Sequence, residues 1–306
     1  MPRPLKAKPG AEKRRFAPDV IETYNVGTET TLFPFLLDAM PARKRTTVKE
    51  LMHHNSVMIN GAVTTRFDAQ LAPGDVVRVN LTREFPRFYN RRVRLVYEDD
   101  DIVVIEKGYG LLSMGNDKVT EGTAYSIVKD YIKWVNPFNK LFIVHRLDRD
   151  TSGLMMFAKS VEAKERMQHN WNNMVLNRKY VAVVEGEIAE DEGTIRSYLA
   201  ENSQFEVYST DNPEEGKLAV TRYRVLRRRN GNTLVELELD TGRKNQIRVH
   251  LKDIGHPIVG DRKYGAKPSP IKRLALHAQT LRFVHPATRR EMNFTTPIPA
   301  SFSRLV

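Results

Sequence analysis

Apolar positions in the first third of the chain switch between helical spacing and short runs that favour strands. Residues 31–40 and 48–54 have the spacing of two short helices, and a basic turn at residues 41–47 separates them. The dipeptide Asn60-Gly61 stands between two β-prone runs and predicts a tight hairpin, which a strand at residues 76–81 follows. We expect hydroxyl side chains to cap both helices, Thr30 or Thr31 the first and Thr46 or Thr47 the second.

From residue 93 the pattern changes to strands that often follow one another without a helix between them. Helical spacing recurs at residues 124–135 and 160–171. Because strands outnumber helices and do not alternate with them, we expect an α+β fold with a largely antiparallel sheet flanked by helices and loops. The predicted strands are residues 93–96, 102–105, 154–158, 180–184, 217–226, 233–239, 274–284 and 291–295.

Shifts in composition divide the chain into four segments. Residues 1–17 are rich in Lys, Arg and Pro and predict a disordered basic arm. Residues 18–82 are predicted to form a first domain, residues 83–92 a linker and residues 93–306 a second domain. Aromatic residues interleave with Arg in the linker, which could create a platform for stacked bases. We favour the simpler interpretation that they pack the linker against a domain; they are Phe85, Phe88 and Tyr89.

Composition narrows the partners and the chemistry. The 306 residues carry a net charge of +12, which favours a polyanionic partner, chiefly nucleic acid. The excess is uneven, because residues 1–92 contain 16 Lys and Arg against 9 Asp and Glu. The absence of cysteine excludes disulfides, thiolate catalysis and Cys-ligated zinc. An apolar run of about 18 residues and a signal-peptide core are also missing, so we expect no membrane span and a cytoplasmic location.

One charged cluster lies between two apolar runs and calls for a specific explanation. Residues 145–153 read H-R-L-D-R-D-T-S-G and hold the carboxylate of Asp148, which is costly to bury unless it is paired or used. Judged alone, Asp148 could form a structural ion pair with Arg146 or Arg149. The segment resembles the signature H-R-L-D-x-x-T-S-G of RluA-type pseudouridine synthases at every specified position. In that family the Asp is the catalytic nucleophile, so the resemblance implies this role for Asp148.

Residues 239–250 resemble a second block of the same family, T-G-R-x-H-Q-I-R-V-H. The resemblance implies that Arg248 is the basic partner of the catalytic Asp, and a carboxylate beside an Arg stays ionised and held in place. Asn245 stands where the family has His, which leaves the contact of that side chain open. For Arg243 we expect a contact with an RNA phosphate or a surface position.

A third block, residues 177–180, resembles the K-x-Y or R-x-Y segment of the family. It implies that Tyr180 stacks on the target base and could also move a proton; without the resemblance, a Tyr that opens a strand would be half-buried core. Residues 98–107, 260–265 and 274–278 resemble further family blocks, which we interpret as structural. The usual Pro-x-Gly after residue 107 is Gly108-Tyr109-Gly110 here.

The order of elements in residues 18–82 resembles an S4 RNA-binding domain. Two helices, a basic turn, an Asn-Gly hairpin and a Gly-Asp turn before a strand follow in that order. The resemblance implies that Arg43, Lys44, Arg45 and Lys49 face an RNA backbone. The alternative is an ordinary solvated helix face.

Together the resemblances imply a pseudouridine synthase fold and the isomerisation of specific uridines in structured RNA. The target base would flip into a pocket, with Arg146 filling the vacated space or holding the RNA backbone. Asp148 would then attack ribose C1′, or abstract a proton there after assisting cleavage of the glycosidic bond. An isomerisation requires neither a metal nor an organic cofactor. We expect a monomer that acts on ribosomal RNA; the alternatives are a tRNA-specific synthase and a non-catalytic ribosome-assembly factor that binds RNA.

Overall fold

The computed structural model describes residues 19–82, 84–85, 88–115, 119–135 and 138–306, and the predicted basic arm lies outside them. The chain divides into two compact units, an N-terminal unit (Met1–Phe85) and a C-terminal unit (Pro86–Val306). The S4-like assignment of residues 18–82 and the linker at residues 83–92 stay predictions. In the described part of the chain, no helix is long and apolar enough to cross a membrane.

The N-terminal unit packs two short helices on a small antiparallel sheet. The predicted Asn-Gly hairpin is confirmed, since Asn60 and Gly61 both have positive φ, 46° and 81°, as a two-residue hairpin turn requires. Four strands pair in the order β1-β6-β3-β4, and β2 pairs with β5. The elements are β1 Ile21–Asn25, β2 Thr30–Thr31, α1 Leu32–Ala39, α2 Arg45–His53, β3 Val57–Ile59, β4 Ala62–Val63, β5 Gln70–Leu71 and β6 Val76–Asn80.

The predicted threonine cap is wrong for α2, whereas for α1 the predicted Thr31 does occupy the N-cap position. Helix α2 begins at Arg45, so Thr46 and Thr47 lie inside its first turn, and the residue before it is Lys44. Thr31 does precede α1, but its hydroxyl makes no capping hydrogen bond. Apolar packing of one helix face therefore fixes these helices without side-chain caps.

The C-terminal unit is built on one large mixed sheet. Its central path runs β13-β12-β14-β15-β11-β16-β10-β8-β7, with β17 paired to β16 and β9 paired to β10. The elements are β7 Val93–Glu98, β8 Ile102–Lys107, α3 Ala124–Val135, β9 Phe142–Ile143, β10 Ser152–Ala158, α4 Val161–His169, α5 Trp171–Met174, β11 Val175–Glu185, β12 Glu192–Glu201, β13 Val207–Thr210, β14 Lys217–Arg229, β15 Asn232–Leu239, α6 Gln246–Asp253, β16 Leu276–Val284 and β17 Glu291–Thr295. Short 3-10 helices span Arg262–Tyr264 and Phe302–Arg304.

Among the described strands, β10 and β16 form the one parallel pair, and the other pairs are antiparallel. Ser152 lies beside His277 at this junction, and its hydroxyl is 2.8 Å from His277 Nδ1. Gly153 lies beside Ala278 with a φ of 119°. An added Cβ at Gly153 would come within 2.1 Å of the Ala278 carbonyl oxygen. The Gly of the signature is therefore required by the close approach of two backbones at the centre of the sheet.

Replacing Gly153 with Ala is expected to destabilise the C-terminal unit by at least about 3 kcal/mol, because it combines a backbone clash with an unfavourable φ. Urea unfolding followed by circular dichroism measures the change. The matched control is Gly231→Ala, since Gly231 also has a positive φ, 66°, but nothing lies within 4 Å of its added Cβ. The control should lose about 1–2 kcal/mol. Equal losses in the two variants would contradict the role of close approach.

Candidate active site

An open cavity in the C-terminal unit contains the turn that precedes β10. The start of β11 and the segment that leads into α6 supply the rest of its lining. The cavity brings together the three residues predicted as catalytic, Asp148, Tyr180 and Arg248, and two predicted to contact RNA, Arg146 and Arg243. Its remaining lining comes from Leu147, Thr151, Arg178, Leu239, Gly242, Asn245, Gln246, Ile247 and Leu276.

Two buried side chains from β8 and the loop after it hold the backbone on both sides of Asp148. The Ser113 hydroxyl donates to the Leu147 carbonyl at 2.6 Å and accepts from the Leu147 N–H at 3.0 Å. The ammonium of Lys107 donates to the Arg149 carbonyl at 3.1 Å and to two carbonyls of its own loop. The side chain of Lys107 is fully buried. Because both neighbours of Asp148 are fixed, the backbone position from which its carboxylate projects is fixed as well.

Burial dominates the electrostatics of Asp148. It raises the pKa of the carboxyl above its ordinary value, and the positive charges of Arg248, Arg146 and Lys107, in that order, act against the increase. Within the described residues, the carboxylate forms no ion pair and accepts no hydrogen bond, and Arg149 pairs with Asp150 at 3.2 Å instead. A partly desolvated carboxylate without a fixed partner is a better nucleophile than a solvated one.

The direct contact between Arg248 and Asp148 that the sequence predicts is not present among the described residues. Arg248 donates instead to both oxygens of Asp261, each at 2.7 Å. The Asp261 side chain is 1% exposed, and its two oxygens match the fork of the guanidinium. Arg248 therefore acts on Asp148 through its charge across the cavity, and Asp261 fixes where that charge lies.

Asn245, which stands where the related segment has His, joins this network. It precedes α6 in a left-handed conformation with a φ of 55°, which Asn tolerates better than most residues. Its amide nitrogen donates to the Tyr264 hydroxyl at 3.1 Å, and its amide oxygen accepts from Arg248 at 3.0 Å. The guanidinium of Arg248 also lies 4.9 Å from the centre of the Tyr264 ring. Asn245 thus helps to orient Arg248 and does not itself supply a charge.

Tyr180 lies on β11 between Leu237 of β15 and Ala278 of β16. Its ring packs against apolar residues on both sides and still lines the cavity. Burial raises the pKa of its hydroxyl, and the charge of Arg178 opposes this increase. A neutral aromatic ring in the wall of the cavity is suited to stacking on a base.

The other predicted RNA contacts are mostly exposed. Arg146 is exposed, and its guanidinium makes no hydrogen bond or ion pair with the rest of the described chain. Arg243 is exposed and donates to the Leu218 carbonyl at 3.0 Å. Both are therefore available at the cavity for a phosphate.

The four cations of the N-terminal unit that are predicted to contact RNA differ in exposure and pairing. Lys44, Arg45 and Lys49 are exposed, and the last two are four residues apart along α2 and so lie on one face. Arg43 is half-buried and forms an ion pair with Glu22 at 3.3 Å. An RNA phosphate would have to compete with Glu22 for Arg43.

The linker aromatics follow two different patterns. Phe88 packs edge-to-face on Tyr131 of α3, with ring centres 5.0 Å apart, and Phe85 is buried. This supports the packing interpretation for these two residues. Tyr89 is 82% exposed, so the packing interpretation does not extend to it.

One group of side chains in the described residues has the composition of a metal site, and it does not line the cavity. It consists of Asp99, Asp101 and His285. One ring nitrogen of His285 contacts Asp99 at 2.9 Å, and two backbone N–H groups donate to the other, from Ala287 and Thr288. Both ring nitrogens are thus occupied, and the cluster ties two turns together.

Four residues that shape the site were not identified as functional from the sequence. Lys107 and Asp261 lie in segments whose resemblance to the family predicts a structural role, so the sequence indicates these segments but not their contacts at the site. Arg178 lies in the block that indicated Tyr180, at the position before Lys179 in the chain, and received no role. Ser113 has no pattern around it that could have indicated a contact with residue 147.

Comparison with known proteins adds relatives along most of the chain. Residues 101–253 match the family described as RNA pseudouridylate synthase. Ribosomal large subunit pseudouridine synthase D of Escherichia coli O6:H1 is 34% identical over 288 residues, which cover 89% of this chain and 88% of that protein. An uncharacterised RNA pseudouridine synthase of Bacillus subtilis, YlyB, is 35% identical over 271 residues, 86% and 88% of the two chains. The solved structure of human RNA pseudouridylate synthase domain containing 4 has 26% identity and a TM-score of 0.58, and the match covers 69% of this chain and 91% of that one.

Proposed function

This chain belongs to the RNA pseudouridylate synthase family, and we propose that it isomerises specific uridines of large-subunit ribosomal RNA with Asp148 as the nucleophile. Family membership confirms the predicted enzyme class and fold. A non-catalytic assembly factor with the same fold is the alternative that the absence of turnover would support. The observation that carries the proposed mechanism is one cavity that holds a partly desolvated carboxylate, an aromatic ring and unpaired cations.

The geometry supports a definite arrangement of the substrate. A uridine within a helix or loop must leave its base stack to enter the cavity. We propose that its uracil ring stacks on Tyr180 and that its ribose C1′ lies beside the Asp148 carboxylate. Arg146, exposed at the cavity, would then fill the space that the base leaves or hold the RNA backbone.

The proposed reaction balances without any external reagent. Attack of the Asp148 carboxylate on C1′ forms an ester and breaks the C1′–N1 bond, which releases the uracil as an anion. The uracil turns, C5 bonds to C1′, and the ester to Asp148 breaks. The hydrogen on C5 then leaves as a proton while N1 gains one, so the product is an isomer of the substrate.

The proposal specifies large-subunit ribosomal RNA as the substrate. The relative from Escherichia coli carries the large ribosomal subunit in its name. The high positive charge of residues 1–92 supports a large polyanionic substrate as well. We also propose that the protein acts in the cytoplasm as a monomer. A tRNA substrate is the alternative outcome of the experiment that follows.

The proposal is tested by tritium release from RNA labelled with ³H at C5 of uridine. The RNA is extracted from cells that lack this protein, and ribosomal and transfer RNA are assayed separately. We expect release from ribosomal RNA only, because the C5 hydrogen is lost when C5 bonds to C1′. Release from tRNA only would contradict the proposed substrate, and release from neither would contradict the proposed activity.

The exposed cations of α2 are expected to contribute affinity through RNA phosphates. In the triple variant Lys44→Gln, Arg45→Gln and Lys49→Gln, the negative slope of log affinity against log salt concentration should become shallower by about 2. Each lost phosphate contact removes about 0.7–0.9 from its magnitude. Filter binding at several salt concentrations measures the slope. The control is Arg66→Gln, since Arg66 is exposed elsewhere in this unit and pairs with Asp68. An unchanged slope in the triple variant would contradict RNA docking by this surface.

A further inference from the structure

An unneutralised guanidinium lines the cavity beside Tyr180. Arg178 lies two residues before Tyr180 on β11, so both side chains project from the same face of the sheet. Arg178 is partly buried, and within the described residues its guanidinium forms no ion pair and donates no hydrogen bond. Arg178 also lines a second cavity, and two carboxylates lie in that lining. Neither pairs with Arg178, because Asp240 pairs with Arg222 and Glu238 accepts a hydrogen bond from the Asn177 amide. A partly buried cation without a carboxylate is costly unless it serves an anion that arrives later.

Aromatic packing holds this guanidinium in place. Its carbon lies 5.7 Å from the centre of the Trp171 ring, and Trp171 lies 5.1 Å from the ring of His145. His145 accepts from the Met156 N–H at 3.0 Å through Nε2, so it is fixed to strand β10. Burial lowers the pKa of His145 to about 3, so this ring is neutral at physiological pH and adds no charge. His145, the first residue of the signature, therefore positions Arg178 through the ring of Trp171 and does not contact Asp148.

A glycine leaves the space that the guanidinium occupies. An added Cβ at Gly242 would lie 2.7 Å from Nη1 of Arg178. The segment that leads into α6 thus leaves room for the Arg178 guanidinium because residue 242 has no side chain.

We propose that Arg178 binds the phosphate group next to the flipped uridine and that Trp171 and His145 position its guanidinium for that contact. The inference rests on the proposed function and names a further contact within the same site. Before the reaction uracil and ribose are neutral, so the phosphodiester is the one anionic part of the bound substrate that could match an unpaired guanidinium. The alternation that places Arg178 beside Tyr180 also places this charge beside the proposed position of the stacked base, within reach of an adjoining phosphate.

The experiment combines a protein variant with a modified RNA. A short synthetic stem–loop carries the uridine that the wild type modifies, and single methylphosphonates replace the phosphate before or after it. Arg178→Gln should raise KM for the unmodified RNA about 10-fold to 100-fold and leave kcat within about threefold. One of the two methylphosphonates should raise KM of the wild type by a similar factor, and it should raise KM of Arg178→Gln no further.

Two further variants separate positioning from folding. Trp171→Leu should raise KM for the unmodified RNA in the wild-type background and leave KM unchanged in the Arg178→Gln background. The control Arg224→Gln removes an arginine that pairs with Glu236 at 3.1 Å outside both cavities, and its KM should match that of the wild type. Circular dichroism confirms that each variant is folded.

The outcomes distinguish this inference from the proposed function. The phosphate contact would be overturned if each methylphosphonate raised KM of Arg178→Gln by the same factor as KM of the wild type. A fall in kcat of Arg178→Gln with KM unchanged would also overturn it. Either result, with tritium released by the wild type, would leave the synthase activity in place. Absence of release by the wild type on any RNA would instead overturn the proposed function.

Discussion

Replacing Asp148 with Asn is expected to reduce tritium release by at least about 10⁴-fold, because the proposed reaction has no second nucleophile to take its place. Affinity for RNA should stay within about threefold of the wild type or increase slightly. The carboxylate forms no ion pair with the described residues, so its loss breaks no contact and removes a charge that repels phosphate. Single-turnover tritium release and filter binding measure the two quantities separately.

The pH dependence of the wild type gives an independent check on Asp148. The reaction needs the ionised carboxyl, and burial raises its pKa above the ordinary value of about 3.9. The rate at limiting RNA should therefore fall as the pH decreases through a value higher than that of an exposed aspartate. Loss of RNA binding together with turnover in Asp148→Asn would assign a structural role to this residue and contradict the proposal.

Removing the charge of Arg248 is expected to impair both folding and catalysis. In Arg248→Gln the carboxylate of Asp261 stays buried without its partner, which should cost about 3–5 kcal/mol of stability. The positive charge of Arg248 also lowers the pKa of Asp148, so its loss should raise that pKa. The acid limb of the pH–rate profile should then move to higher pH. Thermal unfolding and the pH profile measure the two effects.

A double variant separates the two roles of Arg248. In Arg248→Gln with Asp261→Asn, no unpaired charge remains at this position, so much of the lost stability should return. Turnover should stay low, because the cation beside the carboxylate is still missing. Recovery of both stability and turnover would mean that Arg248 serves only to neutralise Asp261, and it would contradict the electrostatic role in catalysis.

The sequence predicted the reacting groups better than the contacts that orient them. Asp148 and Tyr180 lie in compact motifs, and the structure places both in one cavity. The partner of Arg248 could not be inferred, because Asp261 is 13 residues further along the chain and its side chain becomes buried only in the folded unit. The support from Lys107 has the same origin, since its contact with the Arg149 carbonyl spans 42 residues.

Helix α6 shows why local pattern was insufficient at the site. Ile247, Val249 and Leu251 alternate with polar residues, a spacing of two that is typical of a strand. The segment nevertheless forms a helix, because Gln246 and His250, four residues apart, are also buried and bond to Thr221. The buried face of α6 thus includes polar side chains, so the apolar residues alone do not show helical spacing. Strands β12 and β13 are not predicted from the sequence, because many of their positions are exposed and polar and show no clear apolar alternation.

The parallel junction between β10 and β16 has a consequence for how the enzyme is made. Ser152 and His277 are 125 residues apart in the chain, whereas β8, the other neighbour of β10, has already left the ribosome when β10 emerges. During synthesis β10 can pair early with β8 and, at Phe157 and Ala158, with β9, but its edge at Ser152 and Gly153 stays open until β16 has been translated. Lys107 and Ser113 can hold the turn around Asp148 early, but the cavity is complete only when Leu276 of β16 joins its lining. A nascent chain is therefore expected to acquire activity late, in one step, and to depend on protection of that open edge until translation reaches β16.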